Sequence, residues 1–199
     1  LTTFLTPTPQ PTGVRLVAVS KFKPADMIAT VYGAGQRHFG ENYVQELLEK
    51  APALPDDIQW HFIGHLQSNK AKPLVAGVPN LSVVETVDSV KLANALDKAC
   101  VKAGRVDPLS VLVQVNTSAE EQKGGIAPDG CVELARHITT ACEHLHFQGL
   151  MTIGKLGFPA AEYFERLVAC REEVAAALGV TSETLELSMG MSNDFELAV

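Results

Sequence analysis

Lys21 closes the run Leu16-Val17-Ala18-Val19-Ser20-Lys21, and Pro24 follows three residues later. The apolar stretch does not alternate, which is the pattern of a strand buried on both faces. Pro24 suits the first turn of a helix, where no backbone N–H is needed. A lysine between the two sits at the carboxyl end of an interior strand, the end at which parallel α/β folds bind ligands. Desolvated there, its amine can attack a carbonyl; left in water, it is an ordinary lysine with its stem on apolar surface. A second stretch, Leu187-Ser188-Met189-Gly190-Met191-Ser192-Asn193, is a loop of small residues leading into a helix start, where free N–H groups and hydroxyls suit a phosphate. Ser192 as a plain N-cap explains the same residues, and Asp194 in the first turn works against a dianion on that axis. A lysine at one strand end and a phosphate-suited loop at another describe a phosphorylated aldehyde held as a Schiff base. Pyridoxal 5′-phosphate is the cofactor of that description.

Three other strand ends carry polar residues. Phe39-Gly40-Glu41-Asn42-Tyr43 offers Asn42 as both donor and acceptor, although Glu41 and Asn42 can equally open a helix. His61 and His65 have zincin spacing, but they straddle a strand end and no HExxH is present, so packed or hydrogen-bonded histidines are expected and no metal. Met151 can pack on a planar ring or fill core. Residues 116–125 make a glycine-containing loop without a GK[ST] phosphate signature.

The elements that must position these residues alternate. Strands are expected at residues 14–20, 37–39, 58–63, 81–86, 110–115, 147–152 and 184–187. Helices are expected at 25–33, 41–51, 68–75, 89–103, 129–143 and 160–178, with another starting at 193. Seven successive βα units imply a parallel sheet. Closure as a (β/α)8 TIM-type barrel is the natural outcome, and an open doubly wound sheet the alternative. Ser89 is an expected N-cap, Gly104 and Gly179 expected left-handed helix ends, and Pro128 an expected first helical residue. The expected domains are a flexible Thr- and Pro-rich segment, 1–13, and one barrel domain, 14–199, whose eighth strand lies outside the 199 residues.

At 46% hydrophobic and 20% charged residues, a full core is expected and global disorder is not. A net charge of -7 argues against nucleic acid as the partner. No apolar run spans a bilayer, and the amino end lacks a signal-peptide pattern. Four cysteines without CxxC spacing, all in helix-like segments, suit a reducing cytosol. The expected location is cytoplasmic, with mitochondrial association left open.

Five motifs, running in order from Arg15 to the end of the chain, carry a resemblance. They are Val17-Ala18-Val19-Ser20-Lys21-Phe22-Lys23-Pro24, Phe39-Gly40-Glu41-Asn42-Tyr43-Val44-Gln45-Glu46, Trp60-His61-Phe62-Ile63-Gly64-His65-Leu66-Gln67, Gly149-Leu150-Met151-Thr152-Ile153 and Leu187-Ser188-Met189-Gly190-Met191-Ser192. The chain resembles the pyridoxal phosphate homeostasis protein family (YggS/PROSC, PLP-binding proteins). The resemblance implies a single barrel like the amino-terminal domain of alanine racemase. It implies Lys21 as the covalent aldimine lysine, Asn42 near the ring and Ser188 on the phosphate, with Met151 and Met189 in the cofactor set. It implies a role in vitamin B6 homeostasis, holding pyridoxal phosphate and releasing or transferring it without established turnover. PLP-dependent apo-enzymes are then the expected recipients, and a monomer the expected state. A Gly-Ser-Thr segment and a Val-Arg-Ile-Gly strand, which in the family follow this point, are absent from the sequence. The alternative is a PLP-dependent amino-acid racemase; a Schiff-base aldolase without the cofactor ranks last. Racemisation needs proton carriers on both faces of the cofactor, and of the three tyrosines only Tyr43 falls near the expected mouth.

Overall fold

The computed structural model describes residues 13–118, 124–154 and 160–199. Most of the expected amino-terminal segment, the centre of the loop after the fifth strand and the link joining Gly154 to Ala160 lie outside the described residues. Among the described residues, seven strands alternate with seven helices: β1 (Ala18–Val19), α1 (Ala25–Gly33), β2 (His38–Glu41), α2 (Val44–Lys50), β3 (Gln59–Phe62), α3 (Ala71–Gly77), β4 (Leu81–Val87), α4 (Val90–Ala103), β5 (Leu109–Gln114), α5 (Cys131–Ala141), β6 (Leu145–Met151), α6 (Ala160–Leu178), β7 (Glu186–Ser188) and α7 (Phe195–Ala198). The strands pair in sequence order, each parallel to the next. A doubly wound sheet reverses its order at a switch point; this one does not, and it curls as a TIM-type barrel does. The curl brings distant residues together. Ser188 Oγ on β7 donates to Glu85 Oε2 on β4 at 2.6 Å. Arg15, ahead of β1, makes a two-pronged ion pair with Glu186 at 2.8 and 3.1 Å.

Two apolar layers hold the fold. The larger lies between strands and helices and includes Phe39, Trp60, Phe62, Leu74, Leu96 and Leu134, all fully buried or nearly so. The smaller, Val83, Leu112 and Met151, fills the inside of the curled sheet. Ser89 caps α4 by accepting the Leu92 N–H at 3.3 Å, and Gly104 and Gly179 take the left-handed conformation at φ +66° and +70°. Pro128 opens the 3-10 turn Pro128–Gly130 that leads into α5.

Three local expectations change. β1 is an edge strand with Val19 52% exposed, not a strand covered on both faces, because hydrogen-bonded neighbours reach it from β2 alone. Glu41 ends β2 instead of opening a helix, and α2 begins at Val44. Ser192 does not cap: α7 has four residues and starts after Asp194, whose carboxylate accepts the Met191 N–H. All four cysteines are free and buried, and burial pushes the Cys100 and Cys142 thiols up to about 11. Among the described residues no helix is long and apolar enough to cross a membrane.

Candidate functional site

The strand register decides what faces inward. Val19 pairs with Gly40, and Gly40 with His61. His61 points into the barrel, where Nδ1 meets Glu85 Oε1 at 2.6 Å, so Val19 and Gly40 share that face. Side chains alternate with a period of two. Lys21 follows the end of β1 by two residues and Asn42 follows the end of β2 by one, so both lie at the carboxyl-end mouth. Further round, Gln114, Met151 and Ser188 pair in one row of β5, β6 and β7. Four of the five residues expected at a cofactor, Lys21, Asn42, Met151 and Ser188, are thus spread around one mouth.

Each has a distinct setting. Lys21 is exposed and makes no hydrogen bond or ion pair among the described residues. Of the two settings the sequence allowed, desolvated or in water, Lys21 takes the second among the described residues. Asn42 is half-buried, and its Oδ1 is buried without a partner. Met151 is 5% exposed and packs with Val83 and Leu112. Ser188 faces inward, but its one proton goes to Glu85. Met189, next along the strand, packs against the outer core, so only its main chain can face the same ligand as Ser188.

The turn carrying Lys21 is held by four side chains. Lys50 Nζ donates to the Ser20 carbonyl at 3.0 Å, to Glu41 Oε1 at 2.7 Å and to Glu46 Oε2 at 2.7 Å. Ser20 Oγ donates to Glu41 Oε1 at 2.7 Å, and the Phe22 N–H donates to Glu46 Oε2 at 2.9 Å. Burial pulls the Lys50 ammonium down, but hydrogen bonds to Glu41 and Glu46 outweigh it and hold its pKa above the ordinary lysine value. The Lys50 hydrogen bond and then the Phe22 N–H keep the Glu46 carboxyl below its usual range.

Deeper in the barrel runs a polar chain. His38 Nδ1 lies 3.1 Å from His61 Nε2. A carboxylate only accepts, so the bond to Glu85 places a His61 hydrogen on Nδ1. Burial, then His61 and then Arg15 lower the pKa of His38, against an opposing pull from Glu186. A depressed histidine pKa means that the unfolded chain takes up the proton first. Stability is expected to be full above about pH 6.5 and to fall as pH drops below it. Urea unfolding from pH 7.5 to 5 checks this, and His38→Gln should flatten that part of the profile.

His65, expected to be packed or hydrogen-bonded, is exposed and lies 3.8 Å from Asp88. A cleft of about 520 Å³ on the rim is lined by His65, Gln67, Asn69, Asp88, Ser89 and Lys91; none of the five expected residues borders it. Among the described residues no group of three or more His, Cys, Asp or Glu could hold a metal ion.

The alanine racemase N-terminal domain family profile matches residues 8–198. The mouse pyridoxal phosphate homeostasis protein is 52% identical over 194 residues, covering 93% of this chain and 70% of its own length. The chain belongs to the pyridoxal phosphate homeostasis protein family. A solved structure, PipY of Synechococcus elongatus with PLP bound, is 37% identical with a TM-score of 0.76, covering 96% of this chain and 87% of PipY. Alanine racemase from Corynebacterium glutamicum is 15% identical with a TM-score of 0.67, covering 93% of this chain and 51% of the racemase; at that identity it shares the fold alone.

For a member of the homeostasis family, the donor set suits pyridoxal phosphate in part. A partnerless amine and an orphaned buried amide oxygen lie just past the ends of neighbouring strands, which fits an aldehyde-bearing ring with a hydroxyl or ring donor. Ser188 is less ready, because its hydroxyl must leave Glu85 to donate to a phosphate. Glu85, His38, Glu41, Glu46 and Lys50 were not singled out from sequence. Glu85 had a signal, as a lone carboxylate inside Val83-Val84-Glu85-Thr86-Val87, where buried charge demands a partner. Glu46 and Lys50 had another, the Glu-to-Lys i,i+4 spacing.

Proposed function

We propose that this chain binds pyridoxal 5′-phosphate through Lys21 and serves vitamin B6 homeostasis, holding the cofactor and handing it on. The observation that carries the reading is a free amine, Lys21, just past the end of β1 beside a buried amide oxygen without a partner, Asn42 Oδ1, just past the end of the neighbouring strand β2. The cofactor, when bound, supplies an aldehyde that an amine captures with loss of water. Lys21 provides that amine from an exposed position open to exchange. Asn42 orients the ring through its free Oδ1. Met151 supplies an apolar floor, and Ser188 with the Met189 main chain takes the phosphate end.

The same arrangement favours a carrier without turnover over a racemase. Tyr32 is tied to Asp57 at 2.7 Å, and Tyr163 on α6 is 7% exposed. Tyr43, at the mouth, packs its ring 5.2 Å from Phe22. An exposed lysine suits exchange with solvent and partners more than chemistry protected from water. PLP-dependent apo-enzymes as recipients, a monomeric state and a cytoplasmic location with reduced, buried thiols complete the reading.

The test is a titration of the purified protein with pyridoxal phosphate. The expected result is a saturable yellow absorbance band; a protein that stays colourless and retains no cofactor on gel filtration overturns the reading. Rapid Lys21-dependent α-proton exchange on free amino acids, followed in D2O, would instead establish the racemase.

A further inference from the structure

We propose that Lys50 and Glu46 are positioning residues for Lys21, a role that rests on the binding reading above. Both neighbours of Lys21 are tied to one charged cluster. On one side, the Ser20 carbonyl accepts from Lys50, the Ser20 hydroxyl donates to Glu41, and the Ser20 N–H donates to the Gly40 carbonyl at 2.9 Å. On the other side, the Phe22 N–H donates to Glu46, which Lys50 also holds. Lys50 therefore bridges the end of β1, the end of β2 and helix α2 with one ammonium group. Lys21 itself is left out of the network, exposed and unpaired.

The backbone shows what the cluster holds. Phe22 has φ +62°, the one described non-glycine residue with positive φ. A bulky side chain in that region persists only where its surroundings fix it. Glu46 fixes it by accepting its N–H, and Tyr43 packs on its ring. The tight turn continues as the Lys23 N–H donates to the Ser20 carbonyl at 3.0 Å. The cluster thus fixes the main chain on both sides of Lys21 at the mouth.

The chemistry of the cluster points the same way. Glu41 is fully buried and Lys50 is half-buried against it. Apolar side chains of similar volume would pack at least as well as a buried ion pair, so the charges are better explained by what they hold in register. Capture of an aldehyde depends on the placement of the amine, and small misplacements cost large factors in rate.

Glu46 is partly exposed on the surface of α2, so its replacement leaves the core intact. Glu46→Ala removes the acceptor for Phe22, whereas Glu46→Gln keeps an oxygen there. In Glu46→Ala, amide hydrogen exchange at Phe22 and Lys23 is expected to speed up at least tenfold. Covalent capture of pyridoxal phosphate, by stopped-flow absorbance, is expected to slow about tenfold. Affinity for pyridoxine 5′-phosphate, which lacks the aldehyde, should stay at the wild-type value, and Glu46→Gln should recover most of the capture rate. Lys50→Met should slow capture at least as much and lower stability as well, because it strips the buried Glu41 carboxylate of its counter-ion. Wild-type capture rates in both Glu46→Ala and Lys50→Met overturn the proposal, as does an equal loss of capture and pyridoxine phosphate affinity, which marks general loosening. If the wild-type protein captures no pyridoxal phosphate, the binding reading fails and this role with it; if it does and the variants match it, only the positioning role fails.

Discussion

Lys21→Ala is expected to abolish the yellow absorbance band formed with pyridoxal phosphate while leaving the melting temperature within about 2 °C of wild type. Both halves follow from the side chain's setting. The amine is the group that the binding reading assigns to covalent capture, and among the described residues Lys21 is the lysine that directly follows the end of β1. Lys23 lies beyond the turn, and Lys50 is committed to three acceptors. The stability half follows because Lys21 is exposed and contributes no hydrogen bond or ion pair among the described residues; surface substitutions of that kind usually fall within about 0.5 kcal/mol. Losing a covalent link is worth orders of magnitude in retention, so dialysis should strip the variant and not the wild type. A variant that keeps the band at full intensity would show that another amine captures the cofactor. A variant that melts well below wild type would show that Lys21 also supports the turn. The rest of the site should persist, so pyridoxine 5′-phosphate, which never bonds covalently, should compete equally well in both proteins.

Gly64→Ala is the substitution expected to damage the site most by sterics alone. A Cβ at Gly64 would lie 1.9 Å from the Asn42 carbonyl oxygen, 2.6 Å from its carbonyl carbon and 2.7 Å from its Cα. All three atoms are main chain, so no flexible side-chain end can yield. Gly64 cannot retreat either, because its own carbonyl accepts the Thr86 hydroxyl at 2.6 Å. The ends of β2 and β3 must separate, at a cost of about 1–3 kcal/mol, as for other overpacked sites. For a chain of this size that corresponds to a fall in melting temperature on the order of 3–10 °C. The strain lands on Asn42, so affinity for pyridoxine 5′-phosphate should fall together with stability. Gly104→Ala is the control. Gly104 has φ +66° at the end of α4, and a methyl group there would meet nothing within 4 Å. The change should cost about 1 kcal/mol through backbone conformation and leave affinity unchanged. Wild-type stability and affinity in Gly64→Ala would mean that the two strand ends are not locked together.

The alternation of apolar runs with amphipathic segments determined the order of elements, because strand and helix periodicity are local properties of a few residues. The same holds for the Ser89 cap and for Gly104 and Gly179, each read from its immediate neighbours. Lys21 at a strand end and the resemblance of five ordered motifs led to the family. What the sequence could not determine were bonds between residues far apart in the chain. Glu41 reads as a helix opener until the register sets it against Ser20 and Lys50, and then it is a buried strand residue. Ser188 reads as a free hydroxyl until the curl of the sheet brings Glu85 across from β4, 103 positions away. In each case the local pattern allows several partners, and only the register and curl of the sheet select one, because hydrogen-bond geometry and burial are fixed by which strands lie side by side.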